Sequence, residues 1–157
     1  MIEIGLISDT HGLLRPEVHA ALAGVSLILH AGDVCSDTIL DELALIAPVQ
    51  AVCGNCDAPG DAGLAQERVV TLEGVRIHVS HGHEVGRPTA ERLMAAYPGF
   101  DVIVYGHTHV QKVERVGDVL VVNPGAAGHR RFDLMPSVAR LVIDAGRAEV
   151  TCMELPD

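Results

Sequence analysis

The sequence has no apolar run longer than a strand, and no basic region ahead of a signal-like core in its N-terminal stretch MIEIGLISDTHG. Those absences argue against a membrane span or a secretory leader and predict a soluble, cytoplasmic protein. Positive charge is scarce as well: 11 Lys and Arg stand against 21 Asp and Glu, a formal net charge of -10. Such a surface repels a polyanion, so long nucleic acid is not an expected partner, and any phosphate chemistry would need its own cation. Cysteine is sparse. Cys35, Cys53, Cys56 and Cys152 make no disulfide framework in a chain this long and suit a reducing compartment. Cys53-Gly-Asn-Cys56 has CxxC spacing, but the second pair that a zinc knuckle needs is missing. Cys53 reads instead as a small hydrophobe ending a buried strand. Repeats, linkers and low-complexity tracts are also lacking.

What remains is a chain of 157 residues, 48% hydrophobic, enough for one domain spanning 1–157 with a continuous core. Strand-like and helix-like segments alternate over the first two thirds, then closely spaced strands follow, a pattern that predicts an α/β fold closing in a β-rich part. Strands are expected at Ile2 to Ser8, Leu27 to His30 and Val49 to Cys53. Between them, Pro16 opens one helix carrying Val18, Leu22 and Val25, and Ser36 or Asp37 caps another carrying Ile39, Leu40, Leu43 and Ile46. A loop is expected from Asp57 to Ala65. Arg68 to Leu72 and Val75 to Ser80 form a hairpin, and a helix near Thr89 to Tyr97 leads to the strand Val102 to Tyr105. Two further hairpins pair Lys112 to Val116 with Val119 to Val122, and Ser137 to Ile143 with Ala148 to Leu155.

Polar residues collect immediately after these strands. The six clusters are Ser8-Asp9-Thr10-His11, His30-Ala31-Gly32-Asp33, Gly54-Asn55-Cys56-Asp57, Ser80-His81-Gly82-His83, Gly106-His107-Thr108-His109 and Asn123-Pro124-Gly125. In open α/β sheets the carboxyl ends of strands are where ligands gather, so clusters far apart in sequence are expected to share one rim. A lone strand-end Asp usually caps a turn, and a lone histidine is usually structural; six together point to a metal site. Residues i and i+2 of an extended backbone point the same way, which would aim Asp9 with His11, His81 with His83, and His107 with His109 into one cleft. Imidazole, carboxylate and amide oxygen suit manganese, iron, zinc, cobalt or nickel. So many donors exceed the needs of one ion and fit two ions sharing a carboxylate, an arrangement suited to displacement at phosphorus.

The series Asp9-x-His11, Gly32-Asp33, Gly54-Asn55, His81 and Gly106-His107-Thr108-His109 resembles the calcineurin-like metallophosphoesterase superfamily over most of the chain and in the family's order. The short length, Gly54-Asn-Cys-Asp57 and Asn123-Pro-Gly125 resemble its small YfcE-type phosphodiesterases. The resemblance implies a four-layer α/β/β/α sandwich and a dinuclear phosphodiesterase acting on small diesters. It would make Asp9, His11 and His109 ligands of one ion and Asn55, His81 and His107 ligands of the other. Asp33 would bridge them, and a bridging hydroxide would attack phosphorus. Manganese is the leading ion, with nickel, cobalt, iron or zinc as alternatives, and small members often self-associate.

Many superfamily members carry histidine after the Gly-Asn pair, as proton donor to the leaving group. Here Cys56 stands there, followed by Asp57. A thiol with an ordinary pKa near 8.5 is a poor substitute, so protonation falls to His83, to water or to no group, and good leaving groups should be favoured. His83 is the first candidate for a substrate-facing group, alongside Asp33 and Asn55 at the reacting centre; His129, near Arg130 and Arg131, is a weaker one. Ala126 removes a polar contact that family members often supply with serine. His30 is expected to support the site structurally, and His19 and His78 to lie outside it. Two other functions remain open: a phosphomonoester or phosphoprotein phosphatase, which would need a wider groove than this short chain builds, and a non-catalytic scaffold similar to the retromer subunit.

Overall fold

The computed structural model describes residues 1–58, 64–131 and 133–156. Two sheets stack face to face. The first contains β1 (Ile2–Ile7), β2 (Leu27–His30), β3 (Val49–Val52), β4 (Leu64–Ala65), β10 (Ser137–Asp144) and β11 (Arg147–Glu154), in the order β11-β10-β1-β2-β3-β4. The second contains β5 (Glu67–Leu72), β6 (Val75–Ser80), β7 (Val102–Val104), β8 (Lys112–Val116) and β9 (Val119–Asn123), ordered β5-β6-β7-β9-β8. Helices α1 (Glu17–Ala21) and α2 (Asp37–Leu43) cover the first sheet, and α3 (Ala90–Ala96) covers the second. This is the expected α/β/β/α sandwich.

Strand periodicity explains the layering. In β1 and β2, Leu6 and Leu29 point into the core between the sheets, while Ile7 and Ile28 pack on Val18, Leu22, Ile39 and Leu43 of the helical layer. In β7, Val102 and Val104 face that same inter-sheet core, and Ile103 meets Leu93 of α3. Both faces of the central strands are therefore buried, which is why they read as continuous apolar runs.

The central strands are parallel within each sheet, β1 with β2 and β3 in one, β6 with β7 and β9 in the other. Their carboxyl ends consequently open on one rim. Gly74 and Gly117 sit at positive φ in two of the hairpin turns, where a side chain would be strained.

Several boundaries differ from expectation. The loop expected over 57–65 lies outside the described residues at 59–63, and its last two residues form β4, held parallel to β3 by the Ala51 and Val52 register. Helix α1 is a turn and a half, so Val25 is buried beyond its end. Helix α2 stops at Leu43, before Pro48, and Ser36 caps it by position without a side-chain hydrogen bond.

Candidate metal centre

The loops after β1 and β2 run side by side: Asp9 N–H donates to Gly32 O at 3.0 Å and His11 N–H to Asp33 O at 2.9 Å. Across the sheets, His107 N–H donates to Asp9 Oδ2 at 3.1 Å, and Gly106 N–H to His81 O at 2.9 Å. These backbone bonds bring four strand ends onto two carboxylates. Asp9 and Asp33 are almost wholly buried, and the Nε2 atoms of His109, His11 and His81 stand 3.4, 3.6 and 3.8 Å from Asp9 Oδ1. Asp33 Oδ2 lies 3.2 Å from His81 Nε2 and 3.5 Å from His11 Nε2. His107 and Asn55 pair with each other, Nδ1 to Oδ1, at 3.2 Å, with the His107 ring 5.2 Å from that of His81.

Convergence is achieved differently from the extended-backbone expectation. Asp9, His11, Asp33, His107 and His109 all have positive φ, between 47° and 73°. None of these residues is in an extended strand. Each turns in the left-handed region just past its strand, and that turn directs the side chain to the rim. Non-glycine residues adopt this region at a cost of roughly 1–2 kcal/mol each, and such strain concentrates at functional sites. His83 also departs from the simple alternation, since it begins a short 3-10 turn, His83–Val85, with its ring 5.3 Å from His81 and 6.2 Å from His107.

Two glycines allow the close approach. A Cβ on Gly106 would overlap Ser8 Oγ and come within 2.7 Å of Asp9 Oδ2, and one on Gly54 would overlap the Asp33 carboxylate. Ser8 Oγ donates to Asp9 Oδ2 at 2.7 Å and Cys56 N–H to Asp33 Oδ1 at 2.8 Å. One oxygen of each carboxylate is thereby used, and the other faces the imidazoles.

The donor set fits a divalent cation. Asp9 Oδ1 and His81 Nε2 are buried without a hydrogen-bond partner. His81 Nδ1 donates to Ala31 O at 2.7 Å, so once the ring gives up its other proton to a cation the Nε2 lone pair faces the carboxylates. His11 and His109 face one another through Nε2 at 3.3 Å, an approach that suits lone pairs directed at one cation. Among the described residues, three groups have donor atoms within 4.8 Å of one another: Asp9, His11 and His109; Asp9, Asp33 and His81; and His11, Asp33 and Cys56. The third brings one thiol into reach, which ligand spacing had not indicated.

Electrostatics agree with an ionised, cation-seeking centre. Burial opposes the charge of Asp9, but the imidazoles of His109 and His11 and the charge of His81 outweigh it, holding the carboxyl well below the usual range. Asp33 is likewise lowered, its burial overcome by His81 and the Cys56 N–H. His81 is raised against its burial by Asp33 and Asp9, so binding a cation there would release a proton. His107 is lowered by burial and by the charge of His81. Burial and neighbouring Asp33 raise the Cys56 thiol, making it a still weaker proton donor.

Two buried groups support the ligands from behind. The first, Asp57, is only 7% exposed and accepts from Cys35 N–H at 2.8 Å, Gly54 N–H at 2.9 Å and Val34 N–H at 3.2 Å. It ties the Asp33 loop to the Asn55 loop, a role the sequence did not reveal beyond placing an acid beside Cys56. Asp57→Ala would leave three amides without their acceptor and is expected to cost about 3 kcal/mol in urea denaturation of chelated protein. A loss under about 1 kcal/mol would show that water replaces the carboxylate.

His30, the second, is fully buried. Its Nδ1 accepts from Gly32 N–H, and its Nε2 meets Thr10 Oγ1, each at 3.1 Å. Burial pushes its pKa from 6.5 down to about 4, although Asp9 and Asp57 pull upward. The unfolded chain therefore binds more protons between these values. The His30 contribution is complete above about pH 6.5 and is lost as pH falls toward about 4, a drop of about 2 kcal/mol at pH 5. Urea denaturation of chelated protein at two pH values should show wild type losing about that much more than His30→Gln. Equal losses would refute the buried neutral ring.

The remaining expectations sort clearly. Asn123 reaches the rim as a brace, its Nδ2 donating to Gly106 O at 3.1 Å and Thr108 Oγ1 at 3.0 Å. His129 is exposed after β9 and joins none of the donor groups. Ala126 is buried, its carbonyl accepting from Ser137 N–H. His78 is buried, stacked on Tyr97 and bonded to Glu67, while His19 of α1 sits near Glu42 of α2. No two of the four cysteines form a disulfide.

Fold and site together define an α/β/β/α protein with a site for a divalent cation, and comparison with known proteins makes it a metal-dependent hydrolase of phosphoesters and gives its family. Residues 2–146 match the calcineurin-like phosphoesterase superfamily domain, and the chain belongs to that family. A probable metallophosphoesterase of Methanothermobacter thermautotrophicus is 37% identical over 153 residues, covering 93% of this chain and 88% of its own. The phosphodiesterase YfcE of Escherichia coli is 32% identical over 150 residues, covering 80% and 79%. Among solved structures, wild-type Vps29 of Entamoeba histolytica complexed with zinc has a TM-score of 0.82 and 25% identity, covering 98% of both chains. No helix of the described residues is long and apolar enough to cross a membrane.

Proposed function

We propose that this chain, as one domain over 1–157, is a dinuclear metal-dependent phosphodiesterase acting on small diesters in the cytoplasm. The observation that carries the reading is the meeting of Asp9, His11, Asp33, His81 and His109, with Asp9 Oδ1 and His81 Nε2 buried and unpartnered. Asp9, His11 and His109 would hold one ion, Asn55, His81 and His107 the other, and Asp33 would be shared. When bound, two divalent ions, manganese foremost, acidify water for attack on phosphorus and neutralise charge developing on the phosphoryl oxygens.

The chain's own residues set the geometry around that chemistry. Asp33 is fixed by the Cys56 amide through Oδ1, so its Oδ2 is free to face both imidazole groups. Asn55 projects at the exposed edge, where its amide can orient a non-bridging phosphoryl oxygen as well as a cation. His83 borders a cavity of about 280 Å³ with Asn55 and Gln66, its ring 6.2 Å from that of His107, and would protonate a departing alkoxide. YfcE, a phosphodiesterase by name, supports the diester reading. The likeness to Vps29 lends weight to a scaffold reading, which a complete donor set does not require.

Chelated protein should be inactive, and manganese, nickel, cobalt or zinc should restore hydrolysis of bis(p-nitrophenyl) phosphate faster than of the monoester. A faster monoester reaction would select the phosphatase alternative. Inactivity with every ion would overturn the enzyme reading.

A further inference from the structure

Strand β8 ends the second sheet, with no strand on its outer side among the described residues. Its inner side is paired with β9, which is paired in turn with β7. Leu120 N–H and Val122 O of β9 are spent on Asp101 O and Tyr105 N–H, which flank β7. Backbone groups alternate sides along a strand, so Val119, Val121 and Asn123 turn theirs toward β8, where they meet Val116, Glu114 and Lys112. The N–H and C=O of Val113 and Arg115 therefore face outward, with Gln111 next in that row. An unpaired row of this kind is a template for another strand unless something blunts it.

Charged side chains are the usual means of blunting an edge, and β8 carries Lys112, Glu114 and Arg115. Their order, however, is self-complementary. Reversing Val110-Gln-Lys-Val113-Glu-Arg-Val116 about Val113 sets valine against valine, lysine against glutamate and arginine against an amide. The three valines are exposed, at 44%, 44% and 43%.

We propose that β8 binds a second copy of this chain, strand to strand and antiparallel, across a twofold axis at Val113. In that register Val113 faces the partner's Val113 and Gln111 faces the partner's Arg115, pairs whose outward groups can exchange hydrogen bonds. Between them Lys112 faces the partner's Glu114 in the closer, non-hydrogen-bonded position. Lys112 Nζ already lies 2.8 Å from Glu114 Oε1 on its own strand, so two copies bring together four charges of alternating sign. Val110 and the partner's Val116 close each end.

Neighbouring registers fail. An axis at Glu114 sets that carboxylate against its twin, and one at Lys112 opposes two ammonium groups. An axis between residues matches outward groups with groups already bonded to β9. Net charge also favours this edge: the chain carries -10, but this segment holds two cations and one carboxylate, so copies meet here with little repulsion. The pairing makes one continuous sheet from the two five-stranded sheets. It also lays the end of the partner's β8 beside the loop that carries His107 and His109, just ahead of β8.

Sedimentation equilibrium tests both the edge and its register. Wild type at about 100 μM, well above a micromolar dissociation constant, should show twice the 16.6 kDa chain mass. Val113→Pro removes an outward N–H at the axis, which the single chain does not use, and should halve that mass. Lys112→Glu and Glu114→Lys, each alone, oppose like charges across the axis and should weaken the pairing by about tenfold or more. The two substitutions together restore opposite charges and should bring the dissociation constant back to within about twofold of wild type. Far-ultraviolet circular dichroism checks that each variant is folded, and the restored double variant does not depend on the folding of either single one. Wild type that stays at the chain mass would overturn the second copy and leave the edge to a strand of another protein. A mass unchanged in Val113→Pro, or a double variant no tighter than the single ones, would overturn the edge or its register.

Discussion

Asp33→Asn is expected to reduce diester hydrolysis by about 10³-fold, equivalent to roughly 4 kcal/mol of lost transition-state stabilisation, with the larger share in kcat. Asparagine keeps the acceptor for Cys56 N–H but removes the negative charge that Oδ2 directs at His81 and His11. If that charge is shared between two cations, its removal weakens both sites. Metal content of the dialysed variant should fall below one ion per chain. Folding should be affected much less. Without metal, the variant loses an attraction to His81 but also escapes the repulsion of Asp9, so its melting temperature in chelator should stay near that of wild type. The rise in melting temperature on adding manganese should be largely abolished, because stabilisation by a ligand requires its binding to the native state. A variant that kept full metal content and activity would show that Asp33 is a structural acid, held in place by the Cys56 amide and nothing more.

The second large effect concerns the leaving group. Cys56 occupies the position beside Asn55, and burial together with Asp33 makes its thiol a poor acid. His83 is the remaining imidazole near the rim, one third exposed, with Nδ1 buried without a hydrogen bond and 3.7 Å from Glu84 Oε1. If it protonates the leaving oxygen, His83→Ala should cost about 10²-fold for diesters that expel an alkoxide. The cost should be far smaller for nitrophenyl esters, whose anions depart without a proton. The informative quantity is the dependence of kcat on leaving-group acidity. It should steepen in the variant. A uniform loss across leaving groups would identify His83 as a residue that holds the 3-10 turn rather than a proton donor.

The sequence showed much of the site because parallel strands reveal their carboxyl ends. An apolar run followed within a few residues by a donor marks each one, as at Val102 to His107, and register then places them on one rim. The direction of each side chain was less visible. Asp9, His11, Asp33, His107 and His109 have left-handed backbones, and nothing in an Asp or His codes for positive φ; hydrogen bonds between distant loops impose it. Asp57 was hidden for a similar reason. Its three amide partners come from two loops, and a lone acid after a strand looks like an ordinary cap until those loops are packed together. The two-residue β4 is too short to show any periodicity and exists through its pairing with β3.

The central claim is that two cations sit at the rim, divided between the histidines of Gly106-His107-Thr108-His109. Crystals of the manganese-loaded protein, measured at the manganese absorption edge, test it directly. Two anomalous peaks should appear about 3.5–4 Å apart, with Asp33 between them. Asp9, His11 and His109 should surround one peak, and Asn55, His81 and His107 the other. A single peak, or two peaks with His107 and His109 on the same ion, would contradict it.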